Sequence, residues 1–84
     1  MVVLVTGSTR GIGKSLIIEY AKRGLDVIIN YHNNDDDALK LQKYIESKYD
    51  VKSLVVKCDV SDEEQVEAMF NTINDEFGKL DILI

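Results

Sequence analysis

The sequence predicts an α/β chain: half of a doubly wound sheet, with four parallel strands in the order 3-2-1-4 and three helices. Three observations predict it. Short apolar runs at Val2 to Val5, Val27 to Ile29 and Leu54 to Val56 are continuous rather than alternating, as strands covered on both faces require. Segments with apolar residues at helical spacing separate these runs, so the strands are joined by helix-length crossovers, which makes them parallel with right-handed connections. A glycine-rich turn, Gly7 to Gly13, stands where the first strand passes into the first helix.

In chain order, Val2-Val3-Leu4-Val5 begins the sheet. The first helix is expected over Ile12 to Arg23. Its apolar positions are Ile12, Leu16, Ile17, Tyr20 and Ala21, and it stops at Gly24 behind the cations Lys22 and Arg23. Val27 to Asn30 is the second strand. Asn33 to Asp37 offers capping side chains and an acidic first turn for a second helix whose apolar face is Ala38, Leu41, Tyr44 and Ile45 and which ends near Lys48 or Tyr49. Leu54 to Val56 is the third strand. Ser61-Asp62-Glu63-Glu64 reads as a capping box for a third helix with Val66, Met69, Phe70, Ile73 and Phe77 as its stripe and Gly78 as its end. Leu80 to Ile84 is the fourth strand. The third crossover returns to the other side of strand one, so the connection reverses beside the glycine turn, which is where open α/β sheets bind ligands.

Length and composition restrict the function. Eighty-four residues make one small domain, too short for both halves of a dinucleotide fold, so residues 1–84 are expected to be a dinucleotide-binding half-domain. A net charge of −5 excludes a broad electrostatic footprint for nucleic acid or an anionic membrane. No apolar run approaches the roughly 20 residues of a bilayer span. A single cysteine, Cys58, forms no internal disulfide, and no signal peptide is visible, so a cytoplasmic setting is expected. Cys58 reads as a small buried hydrophobe.

The glycine turn is a phosphate cradle. Gly7 allows the tight turn, Gly11 lets a pyrophosphate approach bare backbone, and Gly13 lets the helix lie close to its strand. The helix that opens there aims unpaired N–H groups at an anion. The spacing is G-x-x-x-G-x-G rather than the G-x-G-x-x-G of the usual dinucleotide fingerprint. In a parallel sheet the carboxyl ends of all strands share one edge, so Gly7 to Gly13, Asn30 to His32, and Cys58 to Val60 are expected to converge. Gly7, Ser8, Arg10, Gly11, Ile12, Gly13, Asn30, Tyr31, His32, Asp59 and Val60 are accordingly the candidate cofactor-binding residues. Tyr31 stands about 20 residues after the loop, where an NAD-selective site presents a carboxylate to the ribose. With no acid there, a 2′-phosphate is acceptable, and Arg10, with His32, supplies charge or donors.

Thr6-Gly7-Ser8-Thr9-Arg10-Gly11-Ile12-Gly13, Cys58-Asp59-Val60 and Gly78-Lys79-Leu80-Asp81-Ile82-Leu83-Ile84 together resemble the short-chain dehydrogenase/reductase family, nearest its 3-oxoacyl-(acyl-carrier-protein) reductase branch. The resemblance covers essentially the whole chain. It implies a half Rossmann fold, NADP(H) as cofactor, and a parent enzyme that reduces a carbonyl, in fatty acid biosynthesis for that branch. It implies a preference for NADP from the basic residue just before the second glycine, and a role for Asp59 in accepting from the adenine amino group with the Val60 backbone against the ring edge. The family's catalytic Ser, Tyr and Lys lie beyond the counterpart of Ile84, so no catalytic residue is expected here and the chain is expected to be a fragment truncated before the chemistry.

Other patterns compete. Tyr44 and Lys48 spell the family's Y-x-x-x-K, but on the second helix, off the cofactor edge, so they are read as a coincidence. Gly13-Lys14-Ser15 ends like a P-loop, yet the first glycine of that motif would fall at Ser8, and Gly7 is one place too early. An ATP- or GTP-binding loop remains the alternative, as does a non-catalytic structural half-domain. Asp35 to Asp37 reads as helix-start charge rather than metal ligands. The fourth strand lacks an outer neighbour and has no lysine or proline to blunt it, so self-association through that edge is expected.

Overall fold

A computed structural model describes residues 1–84. The elements are β1 (Val2–Val5), α1 (Gly11–Lys22), β2 (Asp26–Tyr31), α2 (Asp35–Lys48), β3 (Ser53–Lys57), α3 (Glu63–Phe77) and β4 (Ile82–Leu83). The sheet order is β3-β2-β1-β4 and every pair is parallel, as the sequence predicts. Val3 lies opposite Val27 on one side and Ile82 on the other, so β1, like β2, is an inner strand.

Alternation along the strands builds two cores. Val3, Val5, Val27 and Ile29 point to the face covered by α1 and α2, where they meet Ile17, Ala21, Leu41 and Ile45. Val2, Leu4 and Ile28 point the other way, to Met69 and Ile73 of α3 and to Cys58. All four residues of β1 are buried, which is why that run has no polar alternation.

Several local expectations change. Ile12 is 81% exposed and takes no part in the core; α1 buries Ile17 and Ala21, with Leu16 half-buried, because its first turn stands at the sheet edge with no apolar partner. In α3 the stripe narrows to Met69 and Ile73, with Val66 and Phe77 half-buried against the same cluster and Phe70 on the rim.

The cap of α3 is Asp62, not Ser61. Asp62 Oδ1 accepts from the N–H groups of Glu64 and Gln65 at 3.0 and 3.3 Å, and Gln65 Nε2 donates back to Asp62 Oδ2 at 3.1 Å. Ser61 is drawn off by Asp59, whose Oδ1 takes both its N–H and its hydroxyl, at 2.9 and 2.7 Å. The capping side chains expected before α2 make no cap: Asn34 adopts a left-handed φ of 67°, which Asn tolerates, and only the acidic first turn of Asp35, Asp36 and Asp37 is realised.

β4 is shorter than predicted, but its ladder continues past the two strand residues. Asp81 N–H donates to Val2 O and Ile84 N–H to Leu4 O, each at 2.9 Å. The Asp81 carboxylate accepts from Val2 N–H at 2.8 Å, which holds it below the usual carboxylate range. Leu80 packs against the α3 core instead of joining the strand.

Candidate nucleotide-binding site

The carboxyl ends of β1, β2 and β3 meet. Gly7 N–H donates to Asn30 Oδ1 and Ser8 N–H to Asn30 O, each at 3.0 Å, and Cys58 N–H donates to Tyr31 O at 2.8 Å. Gly7 and Gly11 have φ of +60° and +54°, values that a side chain would strain. A Cβ at Gly13 would lie 2.6 Å from Gly7 O, a backbone atom with no rotamer to yield, so only glycine lets the first turn of α1 pass this close to the loop.

The opening of α1 is unfinished. Its N-cap, Arg10, makes no side-chain cap, and the first turn contains no acid. Lys14 N–H is the first to find a backbone acceptor, Arg10 O at 3.2 Å. The N–H groups of Gly11, Ile12 and Gly13 are left at the open, positive end of the helix. A shallow cavity of about 230 Å³ adjoins it, lined by Gly7, Thr9, Arg10, Tyr31, His32 and Asn33, without a carboxylate. Arg10 is exposed and enters none of the chain's ion pairs. An arrangement of backbone donors, a free guanidinium and glycines that hold the loop open fits a phosphate-bearing ligand.

The remaining candidates divide by depth. Ser8 and Asn30 are buried with their polar groups engaged inside the protein, so their side chains stand behind the cradle and not in it. Tyr31 lines the cavity; burial, then the charge and hydrogen bond of Asp35, push its hydroxyl pKa up, and that carboxylate lies 3.9 Å from Lys57 Nζ. His32 lines the cavity as well, but its Nε2 lies 3.8 Å from Asp59 Oδ2, so its positive form faces a carboxylate. Hydrogen bonds from Ser61, and secondarily the charge of His32, keep Asp59 below the usual range. Val60 is 54% exposed and Ile12 81%, and neither lines the cavity.

Sequence reasoning overlooked Thr9 and Asn33, which also line the cavity, and the two residues that fix Asp59, Ser61 and Gln65. The Asp59-x-Ser61 spacing, a familiar turn in which a carboxylate binds backbone two residues on, was the available signal. A larger cavity of about 520 Å³ lies between α1 and α2. Lys14 lines that groove and not the cavity beside Arg10. Tyr44 lines it too, its hydroxyl 3.3 Å from Lys48 Nζ, an interaction that raises the Lys48 pKa.

Comparison with known proteins shows the lineage. The sequence profile described as short chain dehydrogenase matches residues 1–84. The chain belongs to the short-chain dehydrogenase family. A relative within it, the hydroxynaphthalene reductase-like protein Arp2 of Metarhizium acridum, is 39% identical over 83 residues, which are 99% of this chain and 31% of that protein. The 3-oxoacyl-[acyl-carrier-protein] reductase FabG of Staphylococcus aureus is 36% identical over 81 residues, 96% of this chain and 32% of FabG. In structure, the short-chain dehydrogenase chain superimposes with a TM-score of 0.92, at 30% identity, on the L-sorbose reductase of Gluconobacter frateurii, solved with NADPH and L-sorbose; the match covers 98% of this chain and 31% of that one. The chain thus spans about a third of the length of these relatives. No helix is long and apolar enough to cross a membrane.

Proposed function

We propose that residues 1–84 are the NADP(H)-binding portion of a carbonyl reductase of the 3-oxoacyl type, with the proton-donating groups of the reaction outside these residues. One observation carries the reading: the N-cap of the open α1 terminus, Arg10, brings an unpaired guanidinium to a cavity whose lining has no carboxylate. NADPH supplies hydride to a carbonyl carbon when bound. Gly7, Gly11 and Gly13 shape the loop for the pyrophosphate, Arg10 meets the 2′-phosphate, and Asp59, ionised and oriented by Ser61, accepts from the adenine amino group while the Val60 backbone borders the ring. The solution of L-sorbose reductase with NADPH and the relation to FabG support the cofactor and the substrate class. A buried, free Cys58 is compatible with a reducing cytosol. The outer side of β4, where Leu83 and Ile84 are exposed, supports association through that edge.

The test is a titration of NADPH and NADH against wild type and Arg10→Ala. NADPH should bind about tenfold more tightly than NADH, within the range of a charge-assisted contact at an exposed site, and Arg10→Ala should remove most of that preference while leaving NADH unchanged. Equal affinities in wild type overturn the assignment of the 2′-phosphate. Chelating magnesium and substituting Lys14→Ala should both be without effect; magnesium-dependent ATP binding lost in Lys14→Ala would establish a P-loop instead.

A further inference from the structure

Only two polar residues of the chain are buried, Ser8 and Asn30, and they meet each other. Asn30 spends every hydrogen-bonding group it has. Its Oδ1 accepts from Gly7 N–H at 3.0 Å, and its Nδ2 donates to Cys58 O at 3.2 Å and Val56 O at 3.5 Å, with Met69 Sδ at 3.8 Å. Its backbone N–H donates to Ser8 Oγ at 3.1 Å, and its carbonyl accepts from the Ser8 hydroxyl and N–H at 3.3 and 3.0 Å. One face of a single carboxamide therefore holds the first turn of the glycine loop. The other holds the carbonyl of the residue that immediately precedes Asp59.

We propose that Asn30 is a positioning residue that couples the two ends of the nucleotide site, the pyrophosphate loop after β1 and the adenine-side segment after β3, without itself touching the ligand. This rests on the reading of the site as a dinucleotide cradle. The backbone ties each segment to β2 separately, Ser8 N–H to Asn30 O and Cys58 N–H to Tyr31 O, whereas the Asn30 carboxamide is the one side chain that bonds both segments directly. A carboxamide suits the place because it offers a donor and an acceptor on opposite sides of one planar group. Asp is the same size but has no donor and would set a carboxylate against two carbonyls; Leu has neither group. Contact with ribose or phosphate is not available to a side chain this deeply buried with both its polar atoms engaged.

The test compares wild type, Asn30→Leu, Asn30→Asp and a control, Ile28→Val, which trims the same strand two residues earlier on the same face. Urea stability, NADPH affinity and amide hydrogen exchange are measured on each, with affinities compared at conditions where each variant is folded. In Asn30→Leu, exchange should accelerate together at Gly7, Ser8, Cys58 and Asp59, and NADPH affinity should fall at least tenfold. Asn30→Asp keeps the acceptor for Gly7, so acceleration should be confined to Cys58 and Asp59 while affinity still falls. Ile28→Val should lower stability and leave affinity and those amides unchanged. If Asn30→Leu does not fold, the asymmetric pattern in Asn30→Asp decides the matter. Wild-type NADPH affinity in a folded Asn30 variant, or exchange that changes at Gly7 and Ser8 alone in Asn30→Leu or equally at all four amides in Asn30→Asp, overturns the coupling. Failure of wild type to bind NADPH while the exchange pattern holds removes the cofactor reading and leaves the coupling standing.

Discussion

Three helices begin at the same edge of the sheet, and two of them, α1 and α3, begin in opposite ways. α3 is closed by its own sequence: Asp62 accepts from Glu64 and Gln65, Gln65 returns the contact and also takes Asp59 N–H at 2.9 Å, and Glu63 and Glu64 occupy the first turn. Its dipole is answered by protein carboxylates. α1 has no side-chain cap and no acid, and it is preceded by a loop whose glycines keep side chains away from its open N–H groups. α2 also lacks a side-chain cap but opens with three acids, so α1 alone begins with neither cap nor carboxylate, while α3, 52 residues further along, is capped fully. On the proposed reading, the open α1 terminus receives an anion from outside.

Making each helix start resemble the other has opposite consequences at the two ends, and the larger effect falls on α1. Arg10→Asp places a capping carboxylate where the guanidinium stands. NADPH affinity should fall about a hundredfold or more, because a charge-assisted contact of about 1.5–3 kcal/mol is lost and a repulsive one takes its place, while the fold gains a few tenths to 1 kcal/mol from the new cap. Calorimetric titration and urea unfolding read the two halves of that outcome. The reciprocal change, Asp62→Ala, should cost about 1 kcal/mol of stability and lower NADPH affinity far less than Arg10→Asp, since it reaches the site only through Gln65 and Asp59. A loss of affinity in Asp62→Ala comparable with that in Arg10→Asp would mean that the two ends do not divide their work in this way.

Acid gives the smallest effect and sharpens the same contrast. Asp59, beside α3, is held below the usual carboxylate range chiefly by Ser61, and Asp81, at the start of β4, by Val2 N–H. A carboxylate with a lowered folded pKa contributes stability that is present above its unfolded value, roughly 3.9, and is lost as pH falls through the folded value. The melting temperature of wild type should therefore exceed that of Asp81→Asn at neutral pH, and the gap should close below pH 4. No carboxylate lines the cavity beside Arg10, so nothing equivalent is removed from the cradle by acid.

What was legible in the sequence was whatever depends on local pattern. The unbroken apolar runs of β1 and β2, the helical spacing of Ile17, Ala21, Leu41 and Ile45, and the glycines at positions 7, 11 and 13 specify strands, helices and an open turn through periodicity, hydrophobic burial and backbone freedom, and parallel connectivity then brings the three segments to one edge. Which polar group meets which was decided only in three dimensions. Asn30 and Ser8 turn inward because Gly7 and Cys58, 23 and 28 residues from Asn30, offer partners that water would otherwise have to supply. Ser61 gave up the cap to Asp62 because Asp59 competes for it, and His32 lies against Asp59 because the ends of β2 and β3 are adjacent. Ile12 kept its helical place but lost its core, since its turn overhangs the sheet. Apolar burial is summed over many interchangeable contacts and shows in composition and period; a hydrogen bond needs one partner at one distance, and that partner is fixed only when distant segments have already packed.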